Sequence, residues 1–232
     1  MTKIIHILHH SPPEEAYPKG PDDGPPKSSN IGDNEYSLMI DEKPYWVGFF
    51  QNDFHAKLAS ASLRITKEYE LECWRPYKYI KQIYTRNVKG IKHRLFPCKN
   101  VKLGPYNLLE TSPLLVKELL NEIKKDQVIV HFHGLHNSST NYFLQKVSKL
   151  NIPIIITQRG GAYPAFFIGK RRWFVNFLLI FKIVFEKLIF DVVDLFILQS
   201  KPSFDYFSNR YGKSKTIHLQ DGLDFRTFKK LD

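Results

Sequence analysis

The sequence predicts an α/β fold: a Rossmann-like, doubly wound, mostly parallel sheet. Three observations carry the prediction. Short apolar runs recur along the chain. Several are continuous rather than alternating, as in strands buried on both faces of a parallel sheet. Amphipathic helix patterns stand between them, so strand and helix alternate.

Taken in order, the predicted strands are KIIHIL (3–8), PYWVGFF (44–50), EYELECW (68–74), QVIVHFH (127–133), PIIIT (153–157), DLFILQ (194–199) and KTIHL (215–219). The helices expected between them are 53–68, 112–125, 139–150 and 201–211. The second has Ser112 as N-cap and Pro113 at the first helical position, where a missing N–H costs nothing. The segment after His10 is dense in Pro, Gly and charge through Asn34. It excludes a helix or a central strand. It leaves the carboxyl end of the first strand, the edge where open α/β sheets bind ligands. The stretch 76–108 is aromatic and basic with weak periodicity, and its spacing assigns it to no element.

Bulk numbers narrow the partners. The 232 residues suit one large domain or two small ones. Lys and Arg total 34 against 23 Asp and Glu, a formal charge of +11, which favours phosphate-bearing partners. Cys73 and Cys98 lack a paired metal spacing and suggest a reducing compartment. Pro12 and Glu14 arrive too early for a signal-peptide core. A cytoplasmic chain is expected. In 173–198, Lys182, Glu186, Lys187, Asp191 and Asp194 interrupt the apolar run and argue against a spanning helix. An apolar seam through Phe174, Phe177, Leu178, Phe181, Val184, Phe185 and Leu188 predicts an amphipathic helix. Lys170, Arg171 and Arg172 beside Trp173 suit an anchor on the inner face of a membrane, with core packing as the plainer explanation.

The stretch VIVHFHGLHNSST carries the most chemistry. His131, His133 and His136 have the spacing of part of a zinc-hydrolase HxHxDH motif, but Leu135 stands at the carboxylate position, so no metal is expected. A ligand edge explains more of the residues. His131 and His133 share one strand face, Gly134 permits close approach, and Ser138 opens a helix whose free N–H groups suit an anionic or hydroxyl-rich ligand. The next strand ends in Arg159, Gly160 and Gly161, which can hold a phosphate. A tight turn with a solvated arginine is the structural alternative. Dinucleotide, P-loop and hydrolase-elbow motifs are absent.

The ordered pieces KIIHIL, EYELECWRP, VIVHFHG, IPIIITQRGG, DVVDLFILQS and YGKSKTIHLQDGLDFRTF resemble the N-terminal half of GT-B glycosyltransferases of family 4. The likeness runs nearly end to end and is strongest over 127–161 and 191–228. It implies one half of a GT-B fold over 1–220, with 221–232 beginning a linker to an absent C-terminal donor domain. It implies retaining transfer of a sugar from a nucleotide-sugar to an acceptor that is often lipid-linked. No cofactor is implied, and the nucleotide-sugar is expected only with the C-terminal domain. His133 and Gly134 match the family's "HG" at the cleft. Gly160 matches the glycine of its second "HG", with Arg159 where His is usual, and Asp221 replaces Asn before Gly222. His133 and Arg159 are therefore the expected catalytic residues. His9, His10, His131, Gly134, Ser138, Gly160, Gly161, Asp221 and Gly222 are expected to bind substrate. Glu110 and Glu118 share the spacing of the family's acidic pair by chance, since that pair belongs to the donor half.

Expected partners are thus a nucleotide-sugar, a sugar or lipid-linked acceptor, a membrane surface, and a second subunit or C-terminal domain. A non-catalytic binding subunit using the same edge is the alternative. Nucleic acid is disfavoured, because no stacking motif accompanies the basic charge.

Overall fold

β1 (Thr2–Leu8) is the strand on which the sheet is built. The computed structural model describes residues 2–8, 37–40, 43–46, 68–77, 80–88, 90–103, 106–134, 138–158, 180 and 186–219. Eight of its strands make a mostly parallel sheet, so the chain is α/β and Rossmann-like. Two compact units divide it, 1–154 and 155–232.

In the first unit, β1 lies between β4 (Tyr69–Tyr77) and β9 (Val128–His133), parallel to both. β6 (Ile91–Pro97) runs parallel to β4, and β5 (Tyr84–Val88) closes that edge antiparallel to β6. The chain therefore builds outward from β1 through β4 and β6, then returns to lay β9 on the other side. That reversal is the switch point of a doubly wound sheet. Val130, Phe132, Ile5 and Ile7 are completely buried, which explains why these strands read as unbroken apolar runs.

α1 (Pro113–Lys125) begins where the sequence indicates. Ser112 accepts a hydrogen bond from the Leu115 N–H at 3.4 Å and donates its own hydroxyl to the Pro97 carbonyl at 2.7 Å. Lys124 and Lys125 occupy its last turn, favourable for the helix dipole. Leu115 and Leu119 are fully buried, each contributing about 1.5–3 kcal/mol of burial.

Charged contacts tie α1 to the sheet. Lys3 of β1 pairs with Glu122, and lies 3.4 Å from Glu72 and 3.6 Å from Glu70 on β4. Glu72 is fully buried, yet it accepts from Trp74 Nε1 at 2.6 Å and from Lys92 at 2.9 Å. Burial opposes the charge on Glu72, but Lys92, Trp74 and Lys3 together outweigh it and hold the carboxyl below its ordinary range. Burial likewise opposes the charge of Glu122, and Lys3 reverses that effect. Arg94 binds Glu118 at 2.7 Å and sits 4.8 Å above the Trp74 ring. Glu118 is thus a structural ion-pair residue.

The stretch 76–108 lacked a sequence assignment. It holds the end of β4, β5, β6, β7 (Lys99–Leu103) and the start of β8 (Tyr106–Thr111). β5 and β6 form a tight hairpin in which Gly90 takes φ 84°, and β7 pairs antiparallel with β8. Of the expected strand 44–50, the described part is β3 (Lys43–Trp46). β3 pairs with β2 (Ser37–Ile40) in a separate antiparallel ribbon. The expected helix over 53–68 lies outside the described residues apart from Glu68 at its end.

In the second unit, β10 (Ile154–Gln158), β11 (Leu195–Leu198) and β12 (Thr216–His218) pair in sequence, all parallel. α3 (Lys201–Tyr211) connects β11 to β12 through a 3-10 turn, Lys213–Lys215. Phe190, Phe196, Phe207 and Tyr211 pack as an aromatic cluster, with Phe196 and Phe207 ring centres 4.8 Å apart. Residues 186–190 are helical, and Glu186 is buried there. Burial raises its carboxyl to about 8, with Arg210 acting in the opposite direction. No helix among the described residues is long and apolar enough to cross a membrane.

Two predictions follow from these buried charges. Glu72→Ala leaves Lys3 its Glu122 partner but takes the acceptor from buried Trp74 Nε1 and a partner from Lys92, and should cost about 1–3 kcal/mol in denaturant melts. A raised carboxyl pKa stabilises fully below the ordinary value of 4.5, and this contribution fades as pH rises towards about 8. Glu186→Gln should therefore match the natural chain at pH 4 and exceed its stability above pH 8. The excess should be on the order of a few kcal/mol, at about 1.4 kcal/mol per pH unit.

Candidate functional site

The carboxyl ends of β1 and β9 bring together three histidines. His131 and His133 are two residues apart on β9 and point to the same face. The parallel register sets His6 opposite His131 and Leu8 opposite His133. His6 thereby joins the β9 pair on one face. Their relative exposures are 4%, 6% and 3%, so the imidazoles meet in the interior just beneath the sheet edge.

The contacts are close. His6 Nδ1 lies 2.9 Å from His133 Nε2, a hydrogen bond whose donor depends on the tautomer. The His131 and His133 rings stack with centres 4.1 Å apart, and the His6 ring lies 4.9 Å from His131 and 5.2 Å from His133. One potential ligand nitrogen from each ring falls within 4.8 Å of the other two. The register row continues from His131 and His6 through Cys73 on β4 to His93 on β6, all buried.

β9 ends abruptly. Gly134 adopts φ 100°, a region that suits glycine because it has no Cβ. The Thr140 hydroxyl donates to the Gly134 carbonyl at 2.8 Å, and Thr140 is fully buried. That bond ties the first turn of α2 (Ser138–Val147) to the strand exit. The strand exit and the helix start are thus linked through Thr140 beside the switch point.

The second unit repeats the pattern in simpler form. Ser200 follows β11 and caps α3, accepting from the Ser203 N–H at 3.3 Å. At the end of β12, His218 Nε2 lies 3.2 Å from the Gln199 carbonyl and its ring 5.6 Å from Phe204. Two cavities among the described residues lie elsewhere. One, of about 690 Å³, borders Thr2, Tyr69, Gln127, Ile152 and Pro153 at the amino edge of the first unit. Another, of about 440 Å³, is lined by Lys187, Tyr206, Asn209 and Arg210. The chemistry of the histidine cluster, rather than void volume, identifies the candidate site.

Of the residues singled out from sequence, His131, His133 and Gly134 stand at this edge, and Ser138 begins α2. His9, His10, His136, Arg159, Gly160, Gly161, Lys170, Arg171, Arg172, Trp173, Asp221 and Gly222 lie outside the described residues. His6, which the sequence does not single out, joins the cluster. The available signal was its position two residues before the end of an apolar strand predicted to lie in the same sheet. No family model matches the chain, and no curated protein matches it.

Gly134→Ala would place a Cβ at φ 100°. It should cost about 1–3 kcal/mol in thermal or chemical melts. Thr140→Val, which removes one hydroxyl contact, should cost about 1 kcal/mol.

Proposed function

We propose that the chain is the acceptor-side domain of a GT-B glycosyltransferase similar to family 4, binding a sugar or lipid-linked sugar acceptor at the β1–β9 edge. The observation that carries this reading is the placement of His131, His133 and Gly134 at the carboxyl end of β9, beside β1, where strand order reverses. Ligands of doubly wound sheets bind at that location. The imidazole edges supply donors and acceptors suited to hydroxyl groups. The glycine at the strand exit lets a ligand approach the backbone.

In this reading His133 orients the acceptor hydroxyls and Arg159 holds a phosphate of acceptor or donor. Gly160, Gly161, Asp221, Gly222, His9 and His10 are the further substrate-binding residues that the resemblance implies. The nucleotide-sugar is gripped by a C-terminal domain or second subunit. Lys170, Arg171, Arg172 and Trp173 dock on an anionic membrane surface and bring the site to lipid-linked acceptors.

Saturation-transfer NMR with free hexoses, a prenyl-phosphate-linked hexose and a uridine diphosphate sugar tests the assignment. The chain should bind the hexose-bearing acceptor, and His133→Gln should weaken that binding at least about tenfold, the loss of roughly 1.4 kcal/mol. Equal binding by the variant, or no saccharide signal from the folded natural chain, would remove the proposal.

A further inference from the structure

We propose that His6, His131 and His133 form a binding site for one divalent transition-metal ion of the zinc class. Three buried imidazoles each offer a nitrogen, and the three lie within 4.8 Å of one another. Around a tetrahedral zinc ion with Zn–N bonds of about 2.0–2.1 Å, donors sit roughly 3.3–3.4 Å apart. His6 Nδ1 and His133 Nε2, at 2.9 Å, need to open by only a few tenths of an ångström. His131 offers a nitrogen within 4.8 Å of the other two, and its ring must turn out of the stack on His133 to close that distance.

The backbone prepares this triangle. Two donors come from alternate positions of one strand, and the third comes from the neighbouring strand at the register position of His131. Hydrogen bonding between β1 and β9 fixes the Cα positions before any ion arrives. An all-imidazole set selects zinc, copper or nickel over magnesium or calcium, which prefer oxygen ligands. Three protein donors leave one position of a four-coordinate ion for water or a ligand oxygen.

A hydrogen-bonded histidine pair would account for His6 and His133 alone. It does not account for the third imidazole closing on both. The pair holds one N–H between its two contacting nitrogens, whereas an ion needs both lone pairs. On binding, that proton moves to the other nitrogen of its own ring, and each imidazole stays neutral. His136, the third histidine of the HxHxDH-like spacing, lies outside the described residues, and among those described the sheet register supplies His6. Both readings use His133 but neither requires the other: the metal test reads ion binding through His6 and His131, and the saccharide test reads sugar binding through His133.

The test uses the full chain stripped with chelator and titrated with Zn²⁺ by calorimetry and with Co²⁺ by visible spectroscopy. One ion per chain should bind, with the intense Co²⁺ bands of a four-coordinate site. His6→Gln and His131→Gln should each weaken binding at least about tenfold. Zinc-edge X-ray absorption on the natural chain should show three imidazole nitrogens in the first shell, and it decides the matter if either variant fails to fold. The absence of binding by the folded natural chain overturns the proposal. So does binding that survives both substitutions, as exposed His218 would give, or a shell with fewer than three imidazoles.

Discussion

The parallel pairing of β1 with β4 on one side and β9 on the other is the constraint on which the rest depends. Side chains alternate along a strand, so a shift of one residue would turn His6 to the opposite face and bring Ile5 and Ile7 to the histidines. The register is held from both ends of β1. At its amino end Lys3 reaches carboxylates on β4 and α1, and at its carboxyl end Leu8 packs with Cys73 and Ile91. A charged residue buried so near the start of a strand tolerates little slippage, because a displaced Lys3 would lose its partners inside the protein.

This arrangement gives the two edges of the first unit different chemistry. The amino edge is a closed ionic network, in which Lys3, Glu72, Lys92 and Glu122 answer one another. The carboxyl edge collects imidazoles, a glycine at positive φ and the first turn of a helix. Imidazoles can donate, accept or ligate, while the ionic groups at the other edge are already committed to each other. Binding at the carboxyl edge can therefore vary without disturbing the pairs that set the sheet.

Much of the fold was legible in the sequence, because its strongest signals are local. The apolar runs at 3–8, 127–133, 153–157 and 194–199 became the strands Thr2–Leu8, Val128–His133, Ile154–Gln158 and Leu195–Leu198, and Ser112–Pro113 marked a helix start. PYWVGFF carried no information about which sheet its apolar residues would join, and its described part pairs in a separate ribbon. The strands of 84–103 depend on neighbours that a periodicity window does not see, and Lys92 and Arg94 interrupt the apolar pattern of β6 while pairing with Glu72 and Glu118. At the candidate site, His131, His133 and Gly134 declared themselves by spacing. His6 did not, because its proximity to His133 arises from pairing across 127 positions of chain. That contact belongs to the register rather than to any motif.

The central claim is that the β1–β9 register places these imidazoles against one another. Through-space NMR between imidazole C–H protons, on selectively labelled histidines, measures this directly. Cross-peaks should join the His6 ring to both His131 and His133, whose ring centres lie 4.9 Å and 5.2 Å away. A His131–His133 cross-peak with none from His6 would mean that β1 is paired differently, and the account would fail with it.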